Sequence, residues 1–170
     1  ELTFPFKRYE IGRVWRADRP QKGRLREFIQ CDADIIGDKS LWLEYDLILL
    51  LNSIFKKIGL KELVIKINNR KILEGIFKSF NNNNLSFVEY CIIIDKINKI
   101  GLDKTSVFFL DKGFSDLEVS KIISLFKLKG SFSKKRTYLL DNFEPNQLLQ
   151  EGLNELDFIF NQCAKNNILE

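Results

Sequence analysis

YEIGRVWRADRPQKGRLREFIQCDADIIG, residues Tyr9 to Gly37, reads as a hairpin from its own side chains. From Phe6 to Trp15 the chain carries β-branched and aromatic residues without helix caps, and it breaks at Ala17 to Gly23, where Pro20 and Gly23 supply turn chemistry. Two antiparallel strands joined by a long polar loop are expected, the second spanning Arg24 to Ile36. Successive side chains of a strand point to opposite faces. That rule puts Arg24, Arg26, Phe28, Gln30, Asp32 and Asp34 on one face and Leu25, Ile29, Cys31, Ala33 and Ile35 on the other, with only Glu27 spoiling the apolar set. Trp15 and Ile11 are expected to pack on the apolar side.

A strand with one apolar and one wet face is common, and a solvated outer face is the plain explanation. Solvated faces favour Thr, Lys and Ser. This one holds arginines, an aromatic ring, an amide and acids, in the order that a triphosphate, a flat base and a charged amine require. Arginine binds phosphate oxygens bidentately and stays charged, so Arg24 and Arg26 suit phosphate better than lysines do. Phe28 offers a stacking surface. Gln30 and Asp34 are at most about 13 Å apart along the strand, close enough for long side chains to share one small ligand.

The string FKRYEIGRVWRADRPQKGRLREFIQCDADIIG, Phe6 to Gly37, resembles the second signature motif of class II aminoacyl-tRNA synthetases in the form seen in histidyl-tRNA synthetases. The RP-x-KGR-x-RE-F-x-Q run carries most of the resemblance. It implies that Arg16 holds the α-phosphate of ATP and stabilises charge developing there. It also implies that Asp18 lies near the adenine end, Arg24 meets the outer phosphates, Phe28 stacks on adenine, and Gln30 and Asp34 hold the amino acid. Asp32 faces the same way with no role implied, and serves as a supporting charge for Arg26 or as a solvated acid.

DKSLWLEYDLILLLNSIFKKIG predicts one amphipathic helix over Leu41 to Lys57, capped by Ser40, with Lys56 and Lys57 at its negative end and Gly59 closing it. It is broadly apolar and is expected to be buried against the sheet. Glu44 and Asp46 argue against a membrane span. ELVIKIN, Glu62 to Asn68, alternates as a strand; in the resemblance it is the next strand of the catalytic sheet, followed by an NNRK-type turn at Asn68 to Lys71. Beyond Asn69 the period becomes helical. Capping boxes pair Ser86 with Glu89 and Ser115 with Glu118, and Pro145 marks another helix start. Helices are expected at Arg70 to Phe80, Phe87 to Ile100, Lys104 to Lys112, Asp116 to Lys127 and Pro145 to Lys165. The run Asn81 to Asn84 reads as a polar loop. The basic cluster Lys127, Lys129, Lys134, Lys135 and Arg136 reads as a solvated loop that could meet the phosphates of a tRNA acceptor arm.

The expected fold class is therefore α+β. Residues 1–69 form part of the class II antiparallel sheet with a packed helix, and residues 70–170 form a small helical domain in the place of the insertion between the second and third motifs. The 170 residues are 45% hydrophobic, enough for one respectable core or two small ones, and the net charge of +4 permits an acidic polymer as partner without demanding one. Cys31, Cys91 and Cys163 lack metal-like spacing and there is no histidine. This argues against a zinc site, a disulfide scaffold or a catalytic histidine. No signal peptide or membrane run is visible, which points to the cytoplasm.

The resemblance implies a parent enzyme, a homodimer, that activates L-histidine with ATP and Mg2+ and charges tRNA(His). Its first motif is expected upstream, and its third-motif arginine and anticodon-binding domain downstream, so that this piece has little or no aminoacylation activity alone. Two other readings stay open. One is a synthetase-like regulatory paralogue without aminoacylation, against which the intact Arg16, Arg24, Phe28 and Gln30 argue. The other is a helical nucleic-acid-binding module centred on Lys127 to Arg136.

Overall fold

The computed structural model describes residues 2–60, 62–80 and 84–168. The chain divides into two compact units, Glu1–Lys57 and Ile58–Glu170.

In the first unit, β1 (Phe6–Trp15) and β2 (Glu27–Ile36) pair antiparallel, with Phe6 opposite Ile36 and Trp15 opposite Glu27. β2 starts at Glu27 rather than Arg24, because the loop closes on itself: the Arg24 N–H donates to the Gln21 carbonyl at 2.8 Å and the Gln21 N–H returns to that of Arg24 at 3.3 Å. One bond beyond the strand, from the Arg16 N–H to the Arg26 carbonyl at 2.9 Å, keeps the two ends of the loop together.

Residues opposite one another in the ladder share a face. Tyr9, Ile11, Arg13 and Trp15 therefore stand with Ala33, Cys31, Ile29 and Glu27, while Arg8, Glu10, Gly12 and Val14 stand with Asp34, Asp32, Gln30 and Phe28. The separation of faces is as the alternation predicts, but from Glu27 to Ala33 their burial is reversed. Ile11, Trp15 and Ile29 are 66, 69 and 69% exposed, so the expected packing of Trp15 and Ile11 is not formed. Phe28, Gln30 and Asp32 are half-buried instead. A lone two-stranded ribbon has no second layer to cover its apolar side, whereas the polar side chains cover one another.

α1 (Leu41–Lys57) forms over the predicted range. The Ser40 hydroxyl accepts from the Trp42 N–H at 3.3 Å, and Gly59 follows the helix at φ +81°. Lys7 on β1 and Asp46 on α1 form an ion pair at 2.7 Å. The helix is not buried against the sheet as expected: only Tyr45 is buried, and Trp42, Leu50, Leu51 and Ile54 are exposed. Its apolar residues run around much of its circumference, and a two-stranded ribbon can cover only one stripe of such a helix.

The second unit holds α2 (Arg70–Lys78), α3 (Phe87–Ile100), α4 (Leu102–Asp111), α5 (Asp116–Lys127), α6 (Phe132–Asn142) and α7 (Gln147–Lys165). Glu62 to Asn68 is not a strand, since no described strand lies beside it to complete a ladder. Its alternation persists only as burial, with Ile65 and Ile67 half-buried between exposed Val64, Lys66 and Asn68. Both predicted capping boxes are formed, at Ser86 with Glu89 and at Ser115 with Glu118. Pro145 lies outside its helix. Asn146 caps α7 instead, accepting from the Leu149 N–H at 3.0 Å and donating to the Gly75 carbonyl at 2.9 Å. The Asn81 to Asn84 loop lies outside the described residues except for Asn84, which is a bend.

Most helices pack on their neighbour in sequence, and α7 returns against α2. The core joins Ile72 and Ile76 of α2, Tyr90 of α3, Phe109 of α4, Ile122 of α5, Leu139 of α6 and Leu149 and Leu153 of α7. Each such side chain contributes about 1.5–3 kcal/mol by leaving water. At the α2–α7 crossing both helices present glycine. A Cβ on Gly75 stands 2.7 Å from the Leu149 backbone nitrogen, and one on Gly152 stands 2.9 Å from that of Ile72. The crossing is pinned at its edge by Lys71, whose ammonium reaches Glu155 at 2.6 Å and Glu151 at 3.1 Å. No described helix is long and apolar enough to cross a membrane.

Candidate functional site

Arg16, Asp18, Gly23, Arg24, Leu25 and Phe28 line one solvent-open hollow of about 750 Å³ in the hairpin. Arg16 follows the end of β1, Phe28 sits near the start of β2, and the loop between them carries Asp18 and Arg24. Gly23 has φ +80°, a conformation that lets the loop fold back over this end of the ribbon. The four residues expected to meet ATP are therefore brought to one place by the strand ends and the loop.

Along the same face the side chains form a continuous sequence of contacts. The Arg16 guanidinium carbon lies 4.9 Å from the centre of the Phe28 ring. Its Nη2 donates to the Gln30 carbonyl oxygen at 2.9 Å, and the Gln30 amide NH2 donates to the Asp32 carboxylate. Farther along the same face, Arg8 of β1 bridges two acids, reaching Asp34 of β2 at 2.9 Å and Glu10 at 3.0 Å. Gly12 stands opposite Gln30, and no atom lies within 4 Å of where its Cβ would be. The face is thus open above Gln30.

Gln30 and Asp34 point away from any apolar core, as the alternation requires. Asp32 differs from expectation. Its hydrogen bond is to Gln30 rather than to Arg26, whose Nε donates to the Asp18 carbonyl at 3.4 Å. Sequence reasoning missed Arg8, Glu10 and Gly12, because their membership of this face depends on the register between the strands. Chemically, the face offers donors for phosphate at one end, a ring beside them, and a fixed amide and carboxylate where an ammonium and a polar side chain find acceptors.

The basic cluster is distributed differently from the expected loop. Lys127 ends α5, Lys129 lies in the connection, and Lys134, Lys135 and Arg136 belong to α6. Consecutive helical residues point about 100° apart, so these three fan outward rather than share a face. Arg136 is engaged by Asp157 of α7 at 2.9 Å, while Lys127, Lys129, Lys134 and Lys135 are exposed.

An antiparallel hairpin carrying arginine, ring, amide and acid on one face, followed by a helical domain, is the arrangement that a resemblance to class II aminoacyl-tRNA synthetases implies. The sequence profile of Histidyl-tRNA synthetase matches residues 4–151, and the chain belongs to that family. The histidine–tRNA ligase of Christiangramia forsetii is 44% identical over 161 residues, covering 95% of this chain and 35% of that protein. The one from Flavobacterium johnsoniae is 43% identical over 164 residues, covering 96% of this chain and 34% of that protein. Among solved structures, histidyl-tRNA synthetase from Nostoc sp. PCC 7120 superposes with a TM-score of 0.84 at 30% identity, over 99% of this chain and 39% of that one. The chain thus spans about a third of the length of these relatives.

Proposed function

We propose that this chain is the second-motif hairpin and the insertion domain of a histidine–tRNA ligase, with residues 1–69 in the catalytic domain and residues 70–170 in the insertion. The observation that carries this reading is the hollow that Arg16, Asp18, Arg24 and Phe28 share in a chain of this family. In the proposed reaction, a carboxylate oxygen of L-histidine attacks the α-phosphorus of ATP. The bond to the bridging oxygen breaks, pyrophosphate leaves, and histidyl-adenylate remains. A terminal ribose hydroxyl of tRNA(His) then attacks the acyl carbon and AMP departs. Magnesium arrives with the triphosphate as part of the substrate.

In this scheme Arg16 neutralises charge on the α-phosphate, Arg24 steadies the outer phosphates, and Asp18 lies at the adenine end. Phe28 stacks on the base. Arg16 over the Phe28 ring is compatible with these roles. A cation–π contact at an exposed site contributes only about 0.5–1 kcal/mol, so the guanidinium exchanges it readily for phosphate. Gln30 and Asp34 hold the histidine. Positioning and charge neutralisation drive the step, and no general base is needed from these residues.

Lys127, Lys129, Lys134 and Lys135 are assigned to the phosphates of tRNA, and Arg136, engaged by Asp157, to the α6–α7 contact. The full protein is assigned as a cytoplasmic homodimer, and this chain alone as having little or no aminoacylation activity. Histidine-dependent exchange of pyrophosphate into ATP by the full-length protein tests the reading. Exchange is expected, and Arg16→Ala should reduce it by about 10²–10³-fold. No exchange in an intact, folded protein overturns the function; exchange untouched by Arg16→Ala overturns the role of that arginine.

A further inference from the structure

The Gln30 amide is gripped at both ends by groups that cannot exchange roles. A guanidinium only donates hydrogen bonds and an ionised carboxylate only accepts them. With Arg16 on one side and Asp32 on the other, the amide oxygen must face Arg16 and the NH2 must face Asp32. A flip would set donor against donor and acceptor against acceptor. Asp32 also stands opposite Glu10 in the ladder. Like charges directly opposite are unfavourable in a sheet. Arg8 engages Glu10 and Asp34, and the hydrogen bond of Asp32 goes to Gln30. An acid that solvation or a nearby arginine explained would not hold an amide on the substrate face.

We propose that Asp32 is a positioning residue: it fixes the orientation of the Gln30 amide and, through that amide, the Arg16 guanidinium. The consequence is specificity in what Gln30 presents to a ligand. The second N–H of its NH2 remains to donate, and the second lone pair of its oxygen remains to accept from an ammonium. The amino-acid end and the phosphate end of the site are thereby mechanically joined. This inference rests on the function proposed above, and it assigns Asp32 no contact with either substrate.

The test compares two variants of nearly equal shape in the full-length protein, Asp32→Leu, which removes the acceptor, and Asp32→Asn, which keeps an oxygen. Histidine-dependent pyrophosphate exchange is measured against histidine and against ATP, with thermal melting as the control for folding. Asp32→Leu should lose about 10- to 100-fold in kcat/KM for histidine, the effect of losing a charge-assisted hydrogen bond that orients a binding group. Asp32→Asn, whose amide oxygen still accepts but without the charge, should recover part of that loss. If Asp32→Leu does not fold, Asp32→Ala supplies the comparison. Unchanged kcat/KM without the acceptor, or a loss that Asp32→Asn does not relieve, overturns the role of Asp32 while leaving the proposed function standing. A wild-type protein without exchange overturns both.

Discussion

Gly75 and Gly152 show how much a single hydrogen atom in place of a methyl group can determine. Alanine at Gly75 brings a Cβ within 2.7 Å of both the Cβ and the backbone nitrogen of Leu149, and alanine at Gly152 brings one within 2.9 Å of the Ile72 nitrogen. Glycine costs a helix roughly 1 kcal/mol relative to alanine, so propensity alone favours the substitution. Overpacking opposes it by about 1–3 kcal/mol, and backbone atoms cannot move aside as a flexible side chain can. Gly75→Ala and Gly152→Ala should therefore each lower the melting temperature, as calorimetry can check; an increase would show that α2 and α7 separate without penalty. The sequence marks neither glycine, because each is exceptional only through the other helix.

α6 is the element that local reasoning missed. Ser131 caps it by accepting from the Lys134 N–H at 3.4 Å, but position 134 is a lysine, so the serine–glutamate signature of α3 and α5 is absent. Two signals were available. Phe132, Leu139 and Phe143 recur on one helical face, and the alternative was an unstructured connection from Leu128 to Glu144, longer than compact domains usually tolerate. The helix also divides the basic cluster into two kinds of residue. Replacing Lys127, Lys129, Lys134 and Lys135 with alanine should weaken tRNA binding by the full protein and flatten its salt dependence, since exposed cations act through released counterions. Arg136→Ala should instead lower the melting temperature, because it leaves Asp157 unpaired. Equal effects of the two changes on tRNA binding would refute that division.

The α2–α7 clamp gives the second unit a predictable response to pH. The Glu155 carboxyl is held below its ordinary value of 4.5 first by the Lys71 hydrogen bond, and Glu151 below the same value first by Gln147 and then by Lys71. Lys71 is raised above 10.5, chiefly by its hydrogen bond to Glu155. A depressed carboxyl contributes stability above its unfolded value and loses it as pH falls through the folded one; a raised ammonium contributes below its unfolded value and loses it as pH rises through the folded one. The clamp should therefore stabilise fully between about pH 4.5 and 10.5. Lys71→Met should lower the melting temperature at pH 7, and the gap to wild type should narrow as pH falls below 4.5 and the two carboxyls take up protons. A gap independent of pH would mean that lysine acts there by packing alone. The clamp itself joins residues 80 and 84 positions apart, which no local pattern reveals. Strand alternation, the span of α1, both capping boxes and the arginine–ring–amide order were legible in the chain, since each is set by neighbours within a few residues. The exposed apolar side of the hairpin, the glycine-to-backbone crossing, the engagement of Arg136 and the grip of Asp32 on Gln30 were not. These depend on which side chains the fold brings together, and on surfaces that one hairpin cannot cover.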